Sequence, residues 1–311
     1  MRVVFMGTPD FSVPTLEKII EAGHEVIGVV TQPDKAKGRG KKVLFPPVKE
    51  TALAHNLPVY QPRRARDPEF IEEMKTLNPD VMVVVAFGQI LPKAILDIPK
   101  YGCINVHASL LPKYRGAAPI QWAVIRGEKV SGVTTMQMDV GLDTGDMLLK
   151  KEVLLDEEET GGSLHDKLST LGGNLLIETL EKIEAGDIHP EKQDDSQAGE
   201  YARMLDKNLG RIDFSMPAAE IERLIRGLNP WPSAFTSYNG KTMKLWKAKT
   251  DNCGQGVPGQ VIHVDKNSFT VQTGQGTLQI LELQMEGKKR MDAGAFLRGC
   301  PLETGTMLGQ E

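Results

Sequence analysis

The stretch Val81-Met82-Val83-Val84-Val85-Ala86 decides the fold, because a run this short, apolar and rich in β-branched residues is typical of a parallel strand buried on both faces. Val3 to Met6 and Val26 to Val30 have the same character, and a further strand is expected from Gly102 to Ala108. Segments with helical spacing of apolar residues, such as Phe11 to Ala22, separate these runs. Alternating strands and helices predict an α/β domain built on a doubly wound, mostly parallel sheet.

A different pattern begins downstream of Gly186. The chain is polar from 188 to 206, and after one helix near Ala218 short candidate strands recur, with Asn239-Gly240 marking a turn between two of them. We therefore predict a first domain at 1–187, a linker at 188–206 and a second, smaller domain at 207–311 that folds as an OB-like β-barrel. Trp231, which lies between two prolines, is expected in the core of that second domain.

Composition and missing motifs exclude several classes of function. No apolar run approaches the roughly 18 residues of a membrane-spanning helix, so we expect a cytoplasmic protein without membrane contact. The three cysteines are far apart and odd in number, which predicts buried thiols rather than disulfides. Gly7-Thr8-Pro9-Asp10-Phe11 lacks the later glycines of a dinucleotide-binding turn, and no Walker loop is present. The six histidines contain no pair at ligand spacing, so we predict no metal site.

A local basic loop interrupts an otherwise acidic part of the chain. The whole chain has a net charge of −4, whereas residues 206–311 hold 13 basic against 11 acidic residues. From Pro33 to Lys49 every charged residue except Asp34 is basic. Such a run is either a solvated face or an arm whose Arg39, Lys41 and Lys42 bind phosphates.

Two polar side chains interrupt the predicted strand from Gly102 to Ala108. Asn105 and His107 are two residues apart and therefore project from the same face. An isolated pair of this kind is more often satisfied by hydrogen bonds inside the protein. This strand, however, ends directly in residues 109–116, and ligands of parallel α/β sheets bind beyond the carboxyl ends of the strands.

One distant tripeptide, Asp143-Thr144-Gly145, has more than one interpretation. It matches the triplet of aspartic proteases, but those enzymes need two triplets in an all-β fold, so this match is weak. Taken alone, the tripeptide is typical of a turn.

A joint pattern of these residues resembles a known family. Asn105-x-His107-x-Ser109-Leu110-Leu111-Pro112-x-Tyr114-Arg115-Gly116, followed by Pro119, Trp122, Gly132-Val133-Thr134 and Asp143-Thr144-Gly145, is similar to the signature of the 10-formyltetrahydrofolate-dependent formyltransferases. The resemblance implies that 10-formyltetrahydrofolate is the co-substrate and that the catalytic residues are Asn105, His107 and Asp143. It also implies a folate site formed by Ser109, Leu110, Leu111 and Pro112 together with Phe87, Gly88, Gln89 and Ile90.

The length of the chain distinguishes among members of this family. The purine-synthesis member is similar only to residues 1 to about 185, whereas this chain adds a linker and a net basic domain. The loop with Arg39, Lys41 and Lys42 resembles an insertion in the members that formylate initiator methionyl-tRNA. The resemblance therefore implies transfer of the formyl group to the α-amino group of the methionine, with the basic loop and the second domain binding the tRNA and the protein acting as a monomer.

Two rival hypotheses stay open at this point. A formyltransferase for an amino sugar would use a free sugar nucleotide and would not need the second domain. A non-enzymatic RNA-binding protein that has kept the fold would bind tRNA without folate-dependent transfer. The presence of Asn105, His107 and Asp143 argues against the second rival.

Overall fold

The computed structural model describes residues 1–37, 42–252 and 254–310, and the chain divides into two units. The first unit contains Met1–Pro119, Val130–Leu154 and His165–Ala202. The second contains Ile120–Lys129, Leu155–Leu164 and Arg203–Glu311. Each unit is therefore assembled from discontinuous segments of the chain.

The strands are β1 (Arg2–Gly7), β2 (Glu25–Val30), β3 (Lys35–Lys37), β4 (Lys42–Leu44), β5 (Val59–Tyr60), β6 (Val81–Val85), β7 (Cys103–His107), β8 (Val130–Gln137), β9 (Met147–Leu154), β10 (Ala234–Tyr238), β11 (Lys241–Asp251), β12 (Val261–Val264), β13 (Phe269–Gln272), β14 (Thr277–Met285) and β15 (Met291–Asp292). The helices are α1 (Val13–Glu21), α2 (Pro47–Ala54), α3 (Pro68–Leu77), α4 (Lys93–Leu96), α5 (Pro119–Ile125), α6 (Gly161–Ala185), α7 (Ala218–Gly227) and α8 (Ala293–Gly299).

The first unit is built on a seven-stranded sheet with the order β5-β2-β1-β6-β7-β8-β9. Its first five strands pair in parallel, and β8 and β9 add antiparallel pairs at one side. Every residue of β6 is buried, as its continuous run of valines and methionine predicts. The predicted mostly parallel α/β sheet is confirmed.

The edge at which parallel strands end positions the candidate residues. β1, β2, β6 and β7 all run in the same direction, so Gly7, Val30, Val85 and His107 lie at one edge. Gly7 approaches its neighbours closely here, because a Cβ at this position would lie 2.8 Å from the Cβ of Ser12 and 3.0 Å from the Val85 carbonyl oxygen. Glycine at this position therefore lets the end of β1 pack closely against Ser12, which precedes α1, and against β6.

The second unit contains a six-stranded antiparallel sheet with the order β10-β11-β14-β13-β12, and β15 pairs with β14. Helix α7 buries Ile221, Leu224 and Ile225 from its apolar face. The core of this unit also contains Leu245, Phe269 and other apolar side chains of the strands. A small antiparallel second domain is thus present. The pairings in the described part of the chain leave this sheet open, so they do not establish the expected barrel.

Two smaller expectations have different outcomes. Cys103 is fully buried, and burial raises the pKa of its thiol to about 12, while Cys300 is half-buried and Cys253 lies outside the described residues. The core position expected for Trp231 is wrong, because its residue is 55% exposed in the short turn that follows α7.

Among the described helices none has the length and apolar character needed to span a bilayer.

Candidate active site

Strand β7 places Asn105 and His107 side by side on one face, at the end of the sheet where the parallel strands finish. Asn105 pairs with Val84 of β6 and with Met136 of β8, and His107 pairs with Thr134. The His107 residue is only 6% exposed, whereas Asn105 is half-buried. Within the described ranges the Asn105 amide makes no side-chain hydrogen bond to the protein, so its N–H groups can donate to a ligand.

The His107 ring has a defined proton arrangement. Its Nε2 lies 3.0 Å from the carbonyl oxygen of Tyr114. Because a carbonyl can only accept, Nε2 donates this hydrogen bond and carries a proton. The other ring nitrogen, Nδ1, faces Asp143 with 3.8 Å between Nδ1 and Oδ1, which is longer than a direct hydrogen bond. A second proton on this ring would therefore lie toward the carboxylate.

Asp143 reaches this position from the loop between β8 and β9. Its side chain is 13% exposed, and its Oδ2 accepts a 2.8 Å hydrogen bond from the Gly116 N–H. Its backbone has φ of +55°, in the left-handed region that aspartate adopts more readily than most residues. The structure thus brings the three predicted catalytic residues into one unit, with the two ionisable ones facing each other.

The segment after β7 is fixed by a buried hydroxyl. Thr134, which is fully buried, donates to the Ser109 carbonyl at 2.7 Å and accepts from the Leu111 N–H at 3.0 Å. Ser109 is buried and its hydroxyl donates to the Lys113 carbonyl at 2.6 Å. Leu111 belongs to a small core cluster, and the Leu110 side chain lies against Gly132. In this segment the side chains mainly hold the loop in shape.

The loop after β6 contains the other residues predicted to bind folate. Phe87 is 2% exposed and packs into the core, while its carbonyl accepts hydrogen bonds from Thr8 and Gln32. The Gln89 amide oxygen accepts from the Ala65 N–H at 2.7 Å. Gly88 and Ile90 are exposed, and Ile90 reaches 81%. Of the four residues predicted to bind folate here, Gly88 and Ile90 are therefore the most accessible to a ligand.

Apolar side chains are unusually exposed in the two loops that flank the site. Val140 and Leu142, from the loop that carries Asp143, are 71% and 53% exposed, and Ile90 comes from the loop after β6. Contact with the flat ring system of a ligand would remove this apolar surface from water.

Three residues of the site are missing from the sequence-based prediction. The Gln193 amide donates to the carbonyls of Asp143 and Gly145, and Arg115 donates to the Gln193 amide oxygen. Tyr201 lies against Gly116, where a Cβ would come within 2.6 Å of its ring. Burial raises the pKa of Tyr201, and the charge of Asp143 raises it further. Arg115 could have been found within the quoted signature, but polar residues 188–206 carried no signal beyond a linker.

The predicted phosphate-binding loop is only partly described. Arg39 and Lys41 lie outside the described residues, and Lys42 begins β4, whose backbone pairs antiparallel with β3. Downstream of this hairpin, Lys49 donates to Asp34 at 2.6 Å and to Gln61 at 2.8 Å. A search of the described residues finds no cluster of histidine, cysteine and carboxylate side chains suited to a metal ion.

Comparison with known proteins gives the family. Residues 1–180 match the model of the formyl transferase family, and residues 204–301 match the model of its C-terminal domain. The chain belongs to the formyl transferase family. Within this family it is 62% identical over 316 residues to the methionyl-tRNA formyltransferase of Lachnospira eligens, with all of both chains covered. It is 58% identical to the enzyme of that name from Clostridioides difficile, covering 99% of this chain and all of the other.

Solved structures share the fold at low sequence identity. An N-formyltransferase from Helicobacter canadensis, solved with folinic acid and dTDP-3-aminofucose, has a TM-score of 0.68 and 20% identity, covering 94% of this formyl transferase and all of that chain. HypX from Aquifex aeolicus, solved with tetrahydrofolic acid, has a TM-score of 0.65 and 18% identity, and the match covers all of this chain but 51% of HypX. At these identities the likeness concerns the fold alone.

Proposed function

We infer that this formyl transferase is an enzyme that transfers the formyl group of 10-formyltetrahydrofolate to the α-amino group of methionine on initiator methionyl-tRNA, for translation initiation. The observation that carries the inference is the arrangement of Asn105 beside His107, with Asp143 3.8 Å from the ring. Identity of 62% to a full-length methionyl-tRNA formyltransferase supports the choice of acceptor. The corresponding support for a sugar acceptor is a fold likeness at 20% identity.

The reaction needs little activation of its nucleophile. A free α-amino group has a pKa of roughly 7.7 to 8.0, so part of it is already neutral at pH 7. A C–N bond forms between this nitrogen and the formyl carbon, the bond from that carbon to N10 of the folate breaks, and the proton lost by the amine goes to N10. The protein must therefore hold the two reactants, stabilise charge on the formyl oxygen and move one proton.

The three catalytic residues divide these tasks. Asn105 donates an N–H to the formyl oxygen as negative charge develops on it, a role that is typically worth about 10²- to 10³-fold in rate. His107 donates to the same oxygen or carries the proton once its Nε2 exchanges the Tyr114 carbonyl for the substrate, and general acid–base catalysis contributes about 10²- to 10⁴-fold. Asp143 orients the imidazole and accepts a proton through water. The carboxylate is itself fixed by the Gly116 N–H.

The folate co-substrate fits the remaining features of the site. It supplies the one-carbon group, while the Asn105 amide and the exposed Ile90, Val140 and Leu142 side chains offer a polar donor and apolar contacts. Because Ser109 and Leu111 face the protein, we assign the contacts of segment 109–112 to its backbone and to Leu110 and Pro112. Phe87 and Gln89 hold the other loop, and Gly88 and Ile90 touch the ligand.

We assign catalysis to residues 1–187 and tRNA binding to 207–311 together with Arg39, Lys41 and Lys42. In the second unit Lys244 and Arg290 lie 5.8 Å and 5.1 Å from the centre of the Trp246 ring, which places cations on a strand face. We also propose that this sheet curls into an OB-like barrel. Support comes from register shifts between Leu245 and Ala248, since bulges bend strands in closed sheets.

The proposal is tested with labelled 10-formyltetrahydrofolate and, in separate reactions, initiator methionyl-tRNA, elongator methionyl-tRNA and an amino-sugar nucleotide. We expect transfer to the initiator tRNA. The His107→Ala variant should lower kcat by about 10²-fold or more without changing tRNA affinity, because it removes the acid–base group. His189→Ala is the matched control, since the His189 side chain is 89% exposed.

Transfer to the sugar nucleotide instead of the tRNA would contradict the proposed acceptor. Binding of tRNA without any formyl transfer would support the non-enzymatic hypothesis. A His107→Ala variant as active as the His189→Ala control would remove His107 from the mechanism.

A further inference from the structure

The polar segment 191–202 is attached at both ends to the loops of the site. At one end Glu191 and Met147 exchange two backbone hydrogen bonds of 2.8 Å, at the start of β9. At the other end the Ala202 N–H donates to the Arg115 carbonyl, and the Ala202 carbonyl accepts from Ala117 and Ala118. The segment therefore spans from the loop that carries Asp143 to the loop that follows β7.

Within this segment Gln193 makes the contact to the Asp143 loop. Its side-chain nitrogen lies 2.8 Å from the Asp143 carbonyl oxygen and 2.8 Å from the Gly145 carbonyl oxygen. A primary amide has two N–H groups, so one can serve each carbonyl. Gln193 is half-buried, while most of its neighbours in the segment are exposed. One side chain thus bridges two carbonyls on either side of Thr144.

Arg115 determines which way the Gln193 amide faces. Its Nε donates to the Gln193 amide oxygen at 2.9 Å, and its terminal nitrogen forms a 2.8 Å ion pair with Asp195. A guanidinium can only donate, so the amide oxygen must face Arg115 and the nitrogen must face the carbonyls. The Arg115 side chain is 15% exposed, which limits competition by solvent. All hydrogen-bonding groups of this amide are satisfied.

The loop held by Gln193 has few other anchors near Asp143. Val140, Gly141, Leu142 and Thr144 are exposed, so burial of apolar side chains does not fix this part of the loop. Asp143 itself has a left-handed backbone, a conformation that persists only where its surroundings impose it. The Gly116 N–H holds the carboxylate, and Gln193 holds the backbone that carries it.

We propose that Gln193 is a positioning residue that holds Asp143 against His107 through the Asp143 and Gly145 carbonyls. This proposal rests on the proposed function, because the gain from a fixed carboxylate is realised only in formyl transfer. Displacement of a reacting group by about 1 Å can reduce a rate by about 10²-fold. Because Gln193 acts through the backbone that carries Asp143, its loss should reduce kcat and leave tRNA binding unchanged.

The first test compares Gln193→Ala and Gln193→Glu with the wild-type chain. Glutamate keeps the shape and can still pair with Arg115, but it has no N–H to donate and places oxygen against carbonyl oxygen. We expect both variants to lower kcat by about 10- to 100-fold, with an unchanged KM for methionyl-tRNA. Gln197→Ala is the matched control, because the exposed Gln197 amide donates to Asp194 in the same segment and, within the part of the chain that the structure describes, to no other group.

The second test removes Asp143 as well. In single-turnover reactions of an Asp143→Ala chain, adding Gln193→Ala should change the rate by less than about twofold, because a residue that acts through Asp143 has nothing left to position. Rate losses that multiply in the double variant would overturn the proposal. So would a Gln193→Glu variant with wild-type kcat.

A third measurement does not depend on activity. Hydrogen exchange of the Gly116 amide reports whether the Asp143 carboxylate is in place, since that amide donates to Oδ2. We expect at least about tenfold faster exchange in Gln193→Ala and no change in Gln197→Ala. Unchanged exchange in Gln193→Ala would contradict the proposal. A wild-type chain without formyl transfer would instead contradict the proposed function, and this exchange would still test Gln193.

Discussion

The two halves of the candidate site are held in place by different means. Asn105 and His107 belong to β7, which pairs with strands on both sides and lies in the middle of the sheet. Asp143 belongs to a loop whose tip is exposed. This loop is held by the side chains of Asp139 and Gln193 and by the backbone N–H of Gly116. The half that holds Asn105 and His107, the β7 side, is positioned by core strands. The half that holds Asp143, the tethered side, is positioned by polar groups that come from three different segments.

This difference teaches where rigidity comes from in each half. A strand between two partners cannot shift without breaking ladder hydrogen bonds and buried apolar contacts, so its side chains are positioned by the stability of the whole unit. A loop held by polar tethers can lose its position at small cost to the folded state. Substitutions in the two halves should therefore differ in the ratio of lost activity to lost stability.

Of three further substitutions, the largest effect is expected at Asn105, on the β7 side. Asn105→Ala removes an N–H donor aimed at developing charge, so kcat should fall by about 10²- to 10³-fold while tRNA binding stays the same. The measurement is steady-state formyl transfer together with tRNA titration. Asn174→Ala, at an exposed position on α6 in the first unit, is the matched control. An active Asn105→Ala variant would remove the amide from charge stabilisation.

The β7 side should also be the side on which a substitution destabilises the protein. Thr134→Val leaves the Ser109 carbonyl and the Leu111 N–H without their buried partner, which should lower the free energy of unfolding by about 1–3 kcal/mol. Denaturant titration measures this loss. Thr170→Val, at an exposed site on α6, should change the same quantity by no more than about 0.5 kcal/mol. Equal losses in the two variants would contradict the assigned role of Thr134.

The smallest effect is expected at Asp139, on the tethered side. Its carboxylate accepts hydrogen bonds from the Gly141 N–H and from the Thr144 hydroxyl. Asp139→Ala should lower kcat by about two- to tenfold and the free energy of unfolding by no more than about 0.5 kcal/mol, because the site is exposed. Asp97→Ala, which removes an exposed carboxylate paired with Lys93 in the first unit, is the control for kcat. An Asp139→Ala variant that loses stability but no activity would contradict the difference expected between the two halves of the site.

The sequence predicts the β7 side of the site well, for a physical reason. Alternation along a strand puts Asn105 and His107 on one face, and the direction of parallel strands puts them at the edge where ligands bind. The spacing of apolar residues from Phe11 to Ala22 likewise predicts a helix, and the structure has α1 at Val13–Glu21. Rules of strand alternation and strand direction are enough to place a side chain when the groups around it come from neighbouring strands.

The tethered side cannot be derived from local pattern. Asp143 approaches His107 only because the loop between β8 and β9 folds back over β7, and local pattern does not predict such a fold. Their nearness is expected from the family resemblance alone. Gln193 is 50 residues from Asp143, and its neighbourhood has the polar composition of a solvated linker. Trp231 shows the opposite error, since its apolar side chain predicts burial that the short turn after α7 does not provide.

The attachment of residues 191–202 to the first unit sets an order of events during translation. The strands of the seven-stranded sheet, β1, β2 and β5 to β9, all precede Gln193 in the chain, so the ribosome releases them first and they can fold as a unit while synthesis continues. Gln193 and Ala202 emerge later and then secure the Asp143 loop. A nascent chain that stops before this segment can carry Asn105, His107 and Asp143 on a folded sheet and still lack the groups that hold the Asp143 loop.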